Sequence, residues 1–226
     1  MLTYYITDRS QFAGTEAERR TQLLRTIRQA SAAGVDFIQL REKDLAIRDL
    51  ELLARQALEA IRAEGPARLL INHRTDVALA CGADGVHLTG DDIAASDARA
   101  LASGRHATRQ FLVAVSCHSA PEVLLAEAHG ADFAVLAPIF GKVDPETNRE
   151  ISQGIGLGEL RRAARRDEVP NRKIEAGDAR NSFPIFAMGG IDLQRAPLCA
   201  AAGAAGIAGI RIFQQAPDLA SLVRSL

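Results

Sequence analysis

Residues 33–43 read AGVDFIQLREK. Gly34 supplies the left-handed conformation that commonly ends a helix, and the apolar run Phe37–Leu40 that follows it is typical of a short buried strand. The same arrangement recurs, with glycine closing a helix just before a strand, at residues 81–84, 129–132 and 202–205. The recurrence indicates a repeated unit of one strand and one helix.

On both sides of this unit in the sequence, short apolar or β-branched runs alternate with helical patterns. The predicted strands are Leu2–Thr7, Phe37–Leu40, Arg68–Asn72, Gly85–Leu88, Phe111–Ser116, Phe133–Ala137, Pro184–Met188 and Gly206–Ile210. A helix after each strand requires parallel pairing through right-handed crossovers, and eight such units close into a (β/α)8 TIM barrel. An open doubly wound sheet is the structural alternative, although no G-x-G-x-x-G follows the first strand.

The length of 226 residues is typical of one barrel, so residues 1–226 are predicted to form a single domain. The polar segment 166–183 interrupts the alternation and is interpreted as a surface insertion at the amino-terminal face.

The formal net charge of −1 gives no global electrostatic field that would attract nucleic acid or an anionic membrane. Three widely spaced cysteines form no zinc or disulfide pattern, and the start has no secretory signal, so a cytoplasmic protein is expected. Assembly into a homo-oligomer stays open.

Polar residues follow the predicted strands where a barrel places its catalytic groups. Gln39, Arg41 and Lys43 alternate at the end of the second strand and can share one face, which would suit a phosphate group. The alternative is a solvated strand end with surface salt bridges to Glu42 and Asp44. Other strand ends carry the polar candidates Asn72, His73, His87, Ser116 and His118.

Three further groups of residues suggest anion or metal binding. Gly189 and Gly190 after the seventh strand, and Ile210 and Arg211 after the eighth, lie where barrels often hold phosphate, although turns also use glycine and Arg211 could be a surface arginine. Asp91 and Asp92 are hard oxygen donors of the kind that Mg²⁺ prefers, and either could instead cap the helix beginning near Ile93.

These strand-end motifs resemble the thiamine-phosphate synthase and thiazole tautomerase family. The resemblance covers nearly the whole chain, and its segments are 38–43 (IQLREK), 71–72 (IN), 83–88 (ADGVHL) with 91–92 (DD), 115–116 (VS) with His118, 137–140 (APIF) and 188–191 (MGGI).

The resemblance implies that hydroxymethylpyrimidine diphosphate is joined to a thiazole phosphate with release of pyrophosphate. It implies that Arg41, Lys43 and Asn72 hold pyrophosphate and that Mg²⁺ binds Asp92. It also implies that one group of residues (Gln39, His87, Ser116) lines the pyrimidine and the leaving group, and that another (Gly190, Ile210, Arg211) holds the thiazole phosphate. The catalytic candidates are Lys43, Ser116, His118 and Lys142.

The chain departs from the synthase pattern at three places. His73 stands where an aspartate is usual, so weaker Mg²⁺ binding is expected; the sixth loop lacks the usual T-x-T-K run; and Ile210-Arg211 replaces Ile-Ser. The tautomerase branch also lacks the first aspartate and has a catalytic histidine that matches His118. Retention of Asp91-Asp92 and Lys43 favours the synthase, and a non-catalytic phosphate-binding barrel is a third alternative.

Lysine is rare in this chain, which has only Lys43, Lys142 and Lys173. A lysine after the sixth strand therefore indicates a role for Lys142, which is hypothesised to close over the diphosphate and stabilise the departing pyrophosphate. The alternative is a solvated loop lysine paired with Asp144.

Overall fold

The computed structural model describes residues 1–103, 110–143, 150–164 and 183–226. Eight parallel strands form a closed barrel in these residues. They are β1 (Leu2–Ile6), β2 (Phe37–Leu40), β3 (Arg68–Asn72), β4 (Gly85–Leu88), β5 (Leu112–Cys117), β6 (Phe133–Leu136), β9 (Ile185–Met188) and β10 (Gly206–Gly209). The barrel closes where Leu2 of β1 lies opposite Gly206 of β10. The predicted (β/α)8 barrel is confirmed.

A two-stranded antiparallel hairpin, β7 (Lys142–Val143) and β8 (Glu150–Ser152), follows β6 and was not predicted. The predicted insertion at 166–183 lies outside the described residues, except for Phe183. In the part of the chain that is described, no helix is both long and apolar enough to cross a bilayer.

The helices lie outside the barrel. They are α1 (Glu16–Ala32), α2 (Ile47–Glu64), α3 (Thr75–Cys81), α4 (Ala95–Ala102), α5 (Ala120–Ala128), α6 (Gly156–Ala164), α7 (Ala196–Ala201), α8 (Arg211–Gln214) and α9 (Leu219–Ser225). Helices α1 to α7 lie between successive barrel strands, and α8 and α9 come after β10. The sequence pattern predicts that the first helix starts at Thr21, but α1 begins at Glu16. A capping box explains the difference, because the Thr15 hydroxyl accepts from the Glu18 amide while the Glu18 carboxylate accepts from the Thr15 amide.

The interior of the barrel contains a layer of aromatic rings. Tyr4, Phe37, Phe133 and Phe186 pack edge-to-face or tilted, with centroids 5.0–5.9 Å apart. All four side chains are buried. This apolar layer fills the barrel interior beneath the carboxyl ends of the strands.

Candidate active site

A cavity of about 800 Å³ lies at the carboxyl ends of the barrel strands. Most of the residues that the sequence marked as candidates line it. These are Gln39, Arg41, Lys43, Asn72, His87, Ser116, His118, Gly189, Gly190, Ile210 and Arg211. Asp91 and Asp92 are not among its lining residues. The side chain of Lys142 is not part of what the structure describes. The cavity thus brings together positions that are up to 172 residues apart in sequence, counted from Gln39 to Arg211.

The end of β2 contributes three donor groups to this cavity. Gln39 is buried, Arg41 is half-buried and Lys43 is exposed, and all three line the cavity as the alternation in sequence predicts. Their backbone is tied to β1, because the Arg41 amide donates to the Thr7 hydroxyl at 3.0 Å. An amide, a guanidinium and an ammonium group that converge in this way suit the oxygens of a diphosphate.

A buried ion pair holds this strand end from behind. The Glu42 side chain is only 2% exposed and accepts from the Thr7 hydroxyl at 2.6 Å and from the Arg9 guanidinium at 3.0 Å. Arg9 also donates to both oxygens of Asp44 at 2.7 and 2.8 Å. Burial raises the pKa of Glu42, and these hydrogen bonds oppose the rise. Glu42 was considered only as a surface partner in the alternative interpretation of this segment, and the structure corrects that placement.

We expect Glu42→Ala to lower the free energy of unfolding by about 3 kcal/mol, since it leaves part of a buried charge without its partner. Glu16→Ala is the matched control, because Glu16 bonds the same Arg9 at 2.8 Å but its side chain is 48% exposed. That control should cost no more than about 1 kcal/mol. Urea unfolding of the two variants measures both values, and equal losses would contradict a buried role for Glu42.

Next to the β2 donors, His87 lies at the centre of a buried polar chain. Its Nδ1 is 2.9 Å from the Tyr4 hydroxyl and its Nε2 is 2.8 Å from Ser116 Oγ. Gln39 Nε2 donates to the Tyr4 hydroxyl at 3.3 Å. Burial lowers the pKa of His87 to about 3, with smaller contributions from His73 and Arg41, so the ring is neutral at physiological pH. Sequence reasoning did not single out Tyr4, because it lies in an apolar strand.

His118 occupies the opposite wall and is oriented by the backbone. Its Nδ1 lies 2.7 Å from the carbonyl oxygen of Ala137, which can only accept, so Nδ1 carries a proton. Whenever the ring carries a single proton, its Nε2 atom is therefore the unprotonated one. The His118 amide donates to Glu122 at 2.8 Å, which fixes the start of α5 beneath the ring.

Asp92 lies behind the cavity rim rather than on it. Its carboxylate accepts from the Thr89 amide at 2.7 Å and from Nδ1 of His73 at 2.8 Å. His73 itself lines the cavity, in a left-handed conformation with φ of 62°. Asp91 is exposed. Neither aspartate caps α4, because that helix begins at Ala95 with no side-chain cap.

No three His, Cys, Asp or Glu side chains of the described residues gather as a group that could hold a metal. The donor set is the Asp92 carboxylate behind the rim, with the imidazole of His73 against it. It fits a Mg²⁺ ion that takes one carboxylate from the protein and its other oxygens from substrate phosphates and water. It does not form an all-protein cage.

The loops after β9 and β10 form the remaining wall. Gly189 and Gly190 have φ of 102° and 63°, and a Cβ on Gly190 would come within 2.9 Å of Cβ of Phe140. Arg195, which sequence reasoning missed, donates to the Gly190 carbonyl at 2.6 Å and covers the Phe140 ring at 4.9 Å. These contacts hold the glycine backbone close to the cavity, where only a residue without a side chain fits.

Comparison with known proteins agrees with this geometry. The family model described as thiamine monophosphate synthase matches residues 3–213. The chain is 39% identical over 224 residues to a Geobacter sulfurreducens protein provisionally named a thiamine-phosphate synthase, covering 99% of this chain and 91% of that protein. It is 36% identical over 199 residues to the thiamine-phosphate synthase of Methanoculleus marisnigri, covering 88% of this chain and 83% of that protein.

Among solved structures, the chain superposes on thiamine phosphate pyrophosphorylase from Pyrococcus furiosus with a TM-score of 0.75 and 26% identity. The match covers all of this chain and 93% of the other. A family model that spans almost the entire chain, relatives above 30% identity and a shared barrel agree with one another. The chain belongs to the thiamine monophosphate synthase family.

Proposed function

We propose that this protein is a thiamine-phosphate synthase, a transferase that joins hydroxymethylpyrimidine diphosphate to a thiazole phosphate and releases pyrophosphate. The observation that carries the proposal is the cavity wall formed by Arg41, Lys43 and Asn72, which sets two cationic side chains and an amide where a diphosphate would bind. Family membership supplies the identity of the substrates.

In the proposed reaction the carbon–oxygen bond of the pyrimidine diphosphate breaks, and both electrons leave with pyrophosphate. The thiazole nitrogen then donates its lone pair to the pyrimidine carbocation. Arg41 and Lys43 neutralise the negative charge that grows on the departing group, and Asn72 orients it. Gly189, Gly190, Ile210 and Arg211 hold the phosphate of the thiazole so that its nitrogen meets the cation.

A neutral His87 suits this chemistry. A protonated imidazole next to Gln39 and Ser116 would repel the carbocation that forms on the same side, and burial keeps the ring uncharged by lowering its pKa to about 3. The rings of Phe37, Phe133 and Phe186 in the layer beneath carry no nucleophile that could trap the cation. We propose that Gln39, His87 and Ser116 line the pyrimidine.

Mg²⁺ would be held by Asp92, and its charge would help to neutralise the diphosphate. Asp91, although adjacent in sequence, is exposed and does not line the cavity. We also propose a cytoplasmic location, which is supported by three buried cysteines that form no disulfide bond.

The proposal is tested by incubating the purified chain with both substrates and Mg²⁺ and measuring pyrophosphate. We expect release that depends on both substrates. Release that persists without the thiazole phosphate would indicate a hydrolase. Conversion of the thiazole tautomer with no use of the pyrimidine diphosphate would assign the chain to the tautomerase branch, in which the unprotonated Nε2 of His118 would be the base. Binding of phosphates with neither activity would leave a non-catalytic barrel.

Lys142 is a further catalytic candidate. Its backbone pairs with Ser152 in the hairpin that follows β6, and its proposed partner in the alternative interpretation, Asp144, lies outside the described residues. We expect Lys142→Ala to lower kcat roughly tenfold with little change in KM, because a contact to the departing pyrophosphate strengthens as the bond breaks. Steady-state kinetics with both substrates saturating measure this, and an unchanged kcat would reject the role.

A further inference from the structure

A buried chain of hydrogen bonds connects the floor of the barrel to the cavity. It runs from Gln39 Nε2 to the Tyr4 hydroxyl, from that hydroxyl to His87 Nδ1, and from His87 Nε2 to Ser116 Oγ, over 3.3, 2.9 and 2.8 Å. Tyr4, Gln39 and His87 are at most 2% exposed, whereas Ser116 is half-buried and lines the cavity. Gln39, His87 and Ser116 line the cavity, Ser116 is the most exposed of the three, and Tyr4 is the one member of the chain outside the lining.

The protons that these four groups carry allow one order of donors and acceptors along the chain of hydrogen bonds. Tyr4 accepts from the Gln39 amide and has a single proton of its own, for which His87 Nδ1 is the acceptor. A neutral imidazole with an unprotonated Nδ1 carries its proton on Nε2, so His87 donates to Ser116. The Ser116 oxygen is thereby an acceptor toward His87, and its own proton is left for the cavity.

The reverse direction would leave a buried group unsatisfied. If Ser116 donated to Nε2, then Nδ1–H would donate to the Tyr4 oxygen, which already receives the Gln39 amide. The Tyr4 proton would then have no acceptor among these groups, in a pocket closed by Phe37, Phe133 and Phe186. An unmade hydrogen bond of this kind is costly in a buried site. Burial also raises the pKa of Tyr4, so the phenol keeps its proton.

We propose that Tyr4 is a positioning residue that fixes the Nε2–H tautomer of His87 and thereby makes Ser116 a hydrogen-bond donor to the leaving diphosphate. The proposal rests on the proposed synthase function for the identity of the acceptor. The proposed tautomer rests on the hydrogen-bond contacts of His87 and Tyr4 and not on the identity of the substrate. Ser116 would touch the diphosphate, while Tyr4, which does not line the cavity, would act through His87 and Ser116.

The test uses Tyr4→Phe, which keeps the ring packing and removes only the hydroxyl. The matched control is Tyr5→Phe, because Tyr5 is equally buried and its hydroxyl donates to Gln214 at 2.9 Å, away from His87. Nitrogen NMR of protein labelled at histidine reports the tautomer near neutral pH without substrate. We expect only the Nε2–H form of His87 in the parent and in Tyr5→Phe, and a mixture of tautomers or the Nδ1–H form in Tyr4→Phe.

Kinetics provide the second readout. Tyr4→Phe and Ser116→Ala should each lower kcat roughly tenfold with little effect on the KM of the thiazole phosphate, and the double variant should lose no more than Ser116→Ala alone. An Nδ1–H tautomer in the parent protein would overturn the proposal, as would a Tyr4→Phe variant with parental tautomer and kcat. Because the NMR readout needs no turnover, failure of the synthase function would appear separately, as inactivity of a parent protein with the expected tautomer.

Discussion

Lys43→Ala is expected to reduce kcat/KM for the pyrimidine diphosphate by about 10- to 100-fold. The ammonium group lines the cavity at the end of β2, beside Arg41. A hydrogen bond to a charged group contributes about 1.5–3 kcal/mol, which corresponds to that range of rate. Part of the loss should appear in kcat, because the negative charge on the diphosphate is best matched as it departs.

Lys43→Arg and Arg28→Ala are the controls. The arginine variant keeps the charge but replaces a point charge by a planar fork, so we expect partial recovery. Arg28 on α1 is 59% exposed and lies outside the cavity lining, so its loss should leave kinetics unchanged. If Lys43→Ala and Arg28→Ala had equal activity, the diphosphate would not bind at the end of β2.

Asp92→Asn is expected to weaken Mg²⁺ binding in the presence of pyrophosphate by roughly tenfold or more, which is about 1.4 kcal/mol. The variant loses a carboxylate charge but retains one oxygen to accept from the Thr89 amide, so the turn should persist. Asp91→Asn is the matched control, because it removes the same charge from the adjacent exposed position.

Calorimetric titration of Mg²⁺ into each variant with pyrophosphate present measures the effect apart from turnover. His73→Asp is expected to have the reverse effect. It places a second hard oxygen donor next to Asp92 and should tighten Mg²⁺ binding. Aspartate also tolerates the left-handed backbone at this position better than most residues. Parental Mg²⁺ affinity in Asp92→Asn would reject Asp92 as a ligand.

The barrel was predictable because its signals are local. A glycine such as Gly34 ends a helix, and the apolar run Phe37–Leu40 that follows is typical of a short buried strand. Once the strands are placed, the rule that barrels bear their sites at strand ends is enough to find Gln39, Asn72 and Ser116. The short helix α8 was missed because its four residues have no helical period to detect.

Features that depend on contacts between distant residues were not predictable in the same way. Tyr4 sits in an apolar strand like any core residue, and only the folded barrel shows that its hydroxyl meets His87, 83 residues away. The sequence offers a weak indication that Glu42 is buried. This residue alternates with Arg41 and Lys43 along the strand end, so its side chain faces the opposite side. A charged side chain turned away from the cavity into packed structure needs a partner such as Arg9.

The same limit applies to the metal. Two adjacent aspartates look equivalent in sequence, whereas the structure exposes Asp91 and turns Asp92 toward Thr89 and His73. The difference arises from the turn after β4, whose geometry the residue types alone do not define.

In the proposed reaction, pyrophosphate leaves by carbon–oxygen cleavage while thiamine phosphate forms in the same cavity. This reaction is tested most directly with a pyrimidine diphosphate that carries a heavy oxygen isotope in the bridging position, in a single turnover with enzyme in excess. We predict that thiamine phosphate and pyrophosphate form in equal amounts and that all of the label is in the pyrophosphate. Label recovered in hydroxymethylpyrimidine, with no thiamine phosphate formed, would show hydrolysis at phosphorus and contradict the account.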